Sequence, residues 1–138
     1  MKKKKFWLWL LFTAVWIGVI FWHSSRPAAQ SDAESLGLLY YVQKILPWMT
    51  NRILRKCGHF GEFALLGFLM TGMFWQLKNF LLLKPLACAL FIALCDETLQ
   101  LFVPGRSGNV RDVWIDLSGV IVGTLIIYLF FRLRKKKS

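Results

Sequence analysis

The sequence is short of acid. Only seven of its 138 residues are Asp or Glu, and charged residues of both signs make up 18%, below the rough quarter usual in soluble domains. A soluble domain of this length needs more polar surface, so a water-soluble enzyme and a disordered tail are both excluded. Cysteine is scarce as well. Cys57, Cys88 and Cys95 cannot form a closed disulfide set, and none stands in a Cys-x-x-Cys pair of the kind that holds zinc or does redox work. Cys88 and Cys95 share one face of a predicted helix and are expected as small core residues, with Cys57 nearer the outer surface. There is no internal repeat, and no low-complexity segment apart from the terminal lysines.

What is present is apolar. Hydrophobic residues make up 57%, aromatics 16%, and mean hydropathy is +0.50. Long uncharged or nearly uncharged runs cover about residues 6–22, 59–77, 80–103 and 113–131. Without water each run must satisfy its own backbone, and runs of this length do so as helices. The expected fold class is all-α: a polytopic membrane protein of four transmembrane helices plus a short amphipathic interfacial helix, in one domain over 1–138.

Charge placement sets the expected direction. Lys2 to Lys5, Lys78, Lys84, Arg132, Arg134 and Lys135 to Lys137 fall on one side of a four-span arrangement, with no acid among them. Arg26, Lys44, Arg52, Arg55, Lys56, Arg106 and Arg111 fall on the other, against all seven acids. The entire net charge of +11 therefore sits on one face, which the positive-inside rule assigns to the cytoplasm. Both termini are expected inside. The basic tails are expected to rest on anionic headgroups, and nucleic acid is set aside as a partner because no basic groove with interleaved aromatics accompanies them.

Lys2 to Lys5 followed by an apolar run also resembles a signal peptide, with Ala29-Gln30-Ser31 as a weak cleavage site. The run is long for that role and the site lies well past its end, so a retained helix is expected. Between the first two spans, Ser24-Ser25-Arg26-Pro27 reads as a turn. Leu38, Leu39, Val42, Ile45, Leu46 and Met49 then recur at helical spacing, opposite Gln43 and Lys44. That pattern predicts a short helix ending near Pro47, in the outer interface or against the bundle. Gly119 with Gly123, and Gly67 with Thr71, predict close helix approach.

Polar groups inside apolar runs are costly, and here they gather at one level. Lys56, His59 and Glu62 open the second span on adjoining turns. Asp96, Glu97 and Gln100 lie toward the outer end of the third, Arg106 in the Pro104-to-Gly108 turn, and Asp112 and Asp116 at the start of the fourth. Several also have structural readings: Asp112 as an N-cap, Glu62 and Asp116 as carboxylates at a helix's positive end, Lys56 as a snorkelling side chain, Arg111 as a solvated loop charge. Asp96 and Glu97 resist such a reading. They stand near a helix C-terminus, where the dipole disfavours negative charge, and need a partner, a proton or a cation. Arg106 and Lys56 are the expected partners.

These residues carry a resemblance. Ser24-Ser25-x-Pro27, Lys56-x-x-His59-x-x-Glu62-Phe63, Asp96-Glu97-x-x-Gln100-x-Phe102-x-Pro104-x-Arg106 and Asp112-x-x-x-Asp116-x-x-Gly119 resemble the VanZ-like family of bacterial membrane proteins. The similarity runs from the first span to the last, and the block of acids, glutamine and arginine is specific. Position 116, often Asn in that family, is Asp here. The resemblance implies a small multi-pass protein of the bacterial cytoplasmic membrane and, for some members, reduced susceptibility to teicoplanin. It implies no defined reaction.

Three mechanisms remain open on this reading. In the first, Lys56 and Arg106 hold the anionic group of a lipid-type ligand while Glu62, Asp96, Glu97, Gln100, Asp112 and Asp116 orient its polar parts. In the second, an enzyme acts on a lipid-linked substrate, with His59 as general base, Asp96 or Glu97 as general acid and Arg106 as a clamp. The third is a proton- or cation-coupled carrier. No spacing assigns a metal site, and no cofactor or oligomeric state is assigned. Five carboxylates against the fixed cations Lys56, Arg106 and Arg111 nevertheless predict a protonated carboxylate or a held cation.

Overall fold

A computed structural model describes residues 2–136; the last lysine of the basic tail, Lys137, lies outside the described residues. Five helices follow one another: α1 (Lys2–Ser24), α2 (Ala28–Val42), α3 (Asn51–Trp75), α4 (Leu83–Gln100) and α5 (Val110–Lys136). No strand occurs among the described residues.

α1, α3 and α5 are long and apolar enough to cross a membrane. α4, at 18 residues, rises about 27 Å at 1.5 Å per residue, close to the thickness of a hydrocarbon core, but it carries Lys84, Asp96 and Glu97. Its acids lie in the last two turns, nearer the polar end than the middle of the helix. Their faces decide where they go: Pro85, Ala89, Ala93, Asp96, Glu97 and Gln100 are buried. Cys88 is exposed instead and Cys95 only half-buried, which corrects the expectation that both fill the core. The small Ala89–Ala93 stripe turns the cysteine face outward.

The centre of the bundle is α3, which packs against each of the other four helices. Its contact with α5 is the closest. A Cβ on Gly123 would fall 1.7 Å from the Ala64 carbonyl oxygen, and one on Gly119 would fall 2.3 Å from that of Phe60. The glycines expected to permit close approach do so. Thr71 and Thr124, buried at the same crossing, bond side chain to side chain at 3.1 Å. Around them Ile20, Phe63, Leu66, Met70, Ala89, Ala93 and Val120 form the core. The outward faces carry Leu11, Val15, Phe91, Leu94 and Ile126, all exposed, as helices in contact with lipid require.

The segment between α1 and α3 departs from expectation. Its helix begins at Ala28, directly after Pro27, and ends at Val42; the residues that continue the apolar pattern, Ile45 and Leu46, lie beyond its end. Pro27 is the N-cap residue, with φ −54° and ψ 147°, and its carbonyl accepts the first helical bond, from the Ser31 amide at 3.1 Å. At the far end the Gln43 side chain donates to the Met49 carbonyl at 2.9 Å and closes the turn. α2 rests on α3, with Leu39 buried and Asp32 paired to Arg55 at 2.6 Å.

Candidate functional site

Polar residues converge where α1 and α4 end and α3 and α5 begin. Thr50 caps α3, accepting from the Ile53 amide at 3.3 Å, and this starts the helix one turn before Lys56 rather than at His59. Asn109 does the corresponding work for α5: its side chain accepts from the Arg111 amide at 3.0 Å. Asp112 is therefore not the N-cap. It sits in the first turn and pairs with Lys56, Nζ to Oδ1, at 2.5 Å.

A cavity of about 360 Å³ opens at this end of the bundle. Arg52, Arg55, Lys56, His59, Gln100, Arg106 and Asp112 contribute to its wall. Four of these are fixed cations and one is a carboxylate, so the cavity leans basic although the whole cluster of candidate residues leans acidic. The difference lies in depth. Asp96 and Asp116 are fully buried beneath the wall and Glu97 is 6% exposed, while Glu62 borders a neighbouring cavity of about 220 Å³ with His23, Arg26 and Glu34.

Neither expected cation meets the α4 acids. Arg106 turns toward α1, donating from Nε to the Arg26 carbonyl at 2.9 Å and from Nη2 to the His23 carbonyl at 3.0 Å. The His23 carbonyl lies in the last turn of α1, where a cation is favoured, and that of Arg26 in the turn beyond it. Burial, then the nearby charge of Arg55, lowers the Arg106 guanidinium from its ordinary value against the pull of Asp96, Asp32 and Glu62; a guanidinium stays charged nonetheless. Glu97 Oε2 accepts instead from the Asn109 amide at 2.7 Å. Asp96 Oδ2 accepts from Gln100 Nε2 at 3.0 Å, and Gln100 reaches on to Ser24 Oγ at 3.4 Å. His59 bonds neither Lys56 nor Glu62. Its Nδ1 stands 3.7 Å from Asp116 Oδ1, and Glu62 pairs with His23 at 2.5 Å.

The chain's seven acids thus divide. Asp32, Glu34, Glu62 and Asp112 each have a basic partner within 2.6 Å. Asp96, Glu97 and Asp116 have none that close among the described residues, and each keeps at least one carboxylate oxygen without a hydrogen bond. His23, Ser24, Asn109 and the cavity arginines Arg52 and Arg55 were missing from the sequence-based site. The signals for two of them were nonetheless present: a polar residue closing an apolar run, and an Asn just before a helix.

Three long apolar helices with lipid-compatible outer faces, enclosing buried acids beneath a basic cavity, define a helical membrane protein. The chain belongs to the VanZ/LLP1 family, whose model matches residues 9–131, nearly its whole length. No curated protein and no solved structure matches it.

Proposed function

We propose that this VanZ/LLP1-family protein is a cell-envelope factor that holds the anionic headgroup of an amphiphile at the outer leaflet of the bacterial cytoplasmic membrane. The carrying observation is the cavity of about 360 Å³, walled by Arg52, Arg55, Lys56 and Arg106 against Asp112, at the end of a bundle whose sides are apolar. Cationic forks and ammonium groups recognise phosphate and carboxylate, and the exposed apolar helix faces offer the acyl chains a path beside the headgroup.

In this reading α4 is a fourth span, with its acids turned inward, and α2 lies in the outer interface with Leu38, Tyr40 and Tyr41 exposed. Both termini are cytoplasmic. Supporting that direction, Lys5, Arg134 and Lys135 share one wall at the opposite end of the bundle, where basic residues belong on the inner face. Family membership suggests the consequence, a lowered susceptibility to teicoplanin.

The full chain in neutral detergent should bind dioleoylphosphatidylglycerol several-fold more tightly than the phosphatidylcholine of the same chains. Arg52→Gln with Lys56→Gln should remove that preference. Equal binding of the two lipids by the wild type refutes the headgroup reading. A teicoplanin susceptibility that is the same with and without the gene refutes the consequence.

A further inference from the structure

His59, Asp96 and Asp116 come from three different helices, yet one ligand-capable atom of each lies within 4.8 Å of those of the other two. We propose that these three side chains bind one divalent cation of the kind served by mixed nitrogen and oxygen donors, such as Zn²⁺ or Mn²⁺.

The argument starts from what is left unpaired. Asp116 is fully buried, and neither of its carboxylate oxygens has a hydrogen bond. Asp96 is fully buried with Oδ1 unpaired. His59 Nδ1 is likewise buried and without a partner. Burying one carboxylate without compensation is costly, and burying two side by side is more so. A cation placed among these atoms compensates all of them at once.

The surroundings are organised for it. Gln100 occupies the second oxygen of Asp96 and leaves Oδ1 free, the arrangement by which an outer residue orients a metal ligand. His59 and Gln100 both border the cavity of about 360 Å³, which supplies a route of entry. Zinc bonds of about 2.0–2.2 Å draw donors somewhat closer than the present spread, a small inward movement of side chains. The donor set also narrows the ion. Imidazole and carboxylate suit zinc, manganese or iron; three protein donors fall short of the six to eight oxygens calcium prefers, and all three cysteines lie outside the cluster. Three protein ligands facing a cavity leave a coordination position open.

The inference stands independently of the headgroup reading, because the test needs no lipid. The full chain is stripped with chelator in neutral detergent and titrated calorimetrically with Zn²⁺ and, separately, with Mn²⁺. Saturable uptake of one ion per chain, with a raised melting temperature, is the expected result. Asp116→Asn and Asp96→Asn, checked for folding by elution volume and metal-free melting, should abolish it. Gln100→Ala, which removes only the orienting bond, should weaken it roughly tenfold or more. No saturable uptake of either ion by the wild type overturns the proposal, and so does uptake that folded Asp116→Asn and Asp96→Asn retain unchanged.

Discussion

Arg106, in the turn after α4, donates to the backbone carbonyl of His23 at the end of α1, 3.0 Å away. A second bond from the same guanidinium reaches the Arg26 carbonyl at 2.9 Å. One side chain therefore ties the α4–α5 turn to the α1–α2 turn and also lines the cavity of about 360 Å³. The planar fork is essential, since two donors at fixed separation meet two acceptors. Arg106→Lys keeps the charge and loses one or both bonds. Hydrogen bonds to charged groups contribute roughly 1.5–3 kcal/mol, so Arg106→Lys should lose stability in that range and unfold at a lower temperature. Thermal unfolding in detergent measures it, and an unchanged midpoint would show that the fork does not hold the two turns.

The α3–α5 crossing predicts a sharp contrast between glycines. Gly123→Ala puts a methyl group against the Ala64 carbonyl, whereas the same change at Gly18 meets nothing within 4 Å. Overpacking of this kind costs about 1–3 kcal/mol, sometimes more. Gly123→Ala should destabilise by at least that much and Gly18→Ala should be close to neutral. Similar midpoints for the two variants would contradict the observed helix approach.

How much of this was legible in the sequence follows from the range of each interaction. The three long apolar helices and the glycine crossing could be read because hydropathy and small-residue spacing are local patterns. So could the set of residues that gathers at one end: Lys56, His59, Gln100, Arg106 and Asp112 all border one cavity. The pairing within the set could not be read. Charge complementarity pointed to Arg106 and Lys56 as partners of Asp96 and Glu97, but the turn geometry gives Arg106 one carbonyl at the end of α1 and one in the turn after it, and Asn109's capping gives Lys56 the freed Asp112. The start of α2 was missed because apolar spacing is weak before Leu38, while Pro27 alone marked the helix entry.

Glu97 provides a test of the turn between α4 and α5. Its Oε2 accepts from the Asn109 amide at 2.7 Å, and Gly108 lies so close above it that a Cβ there would meet the Glu97 carbonyl at 2.4 Å. Glu97→Gln keeps an acceptor oxygen, and Glu97→Ala removes it. Asn109 is exposed, so water can replace the lost acceptor, and the hydrogen bond contributes roughly 0.5–1.5 kcal/mol. Glu97→Ala should lose stability in that range and become more sensitive to protease within 101–109, with Glu97→Gln affected less. Equal effects of the two would mean that the carboxylate's charge, rather than its acceptor, holds the turn.

The Lys56–Asp112 pair joins the second turn of α3 to the first turn of α5 at 2.5 Å, and its short distance invites a large energy. Exposure argues otherwise. The two side chains are 39% and 30% exposed, so water screens the attraction, and pairs of this kind contribute roughly 0.2–1 kcal/mol. A double-mutant cycle with Lys56→Gln and Asp112→Asn should therefore give a coupling within that range, and raising the salt concentration should shrink it. The stability of the bundle should barely register either single change, while binding of an anionic lipid should fall with Lys56→Gln and rise with Asp112→Asn, because each changes the sign balance of the cavity wall. A coupling well above 1 kcal/mol, or lipid binding that moves in the same direction in both variants, would place this pair in the structural frame and remove it from the proposed headgroup site.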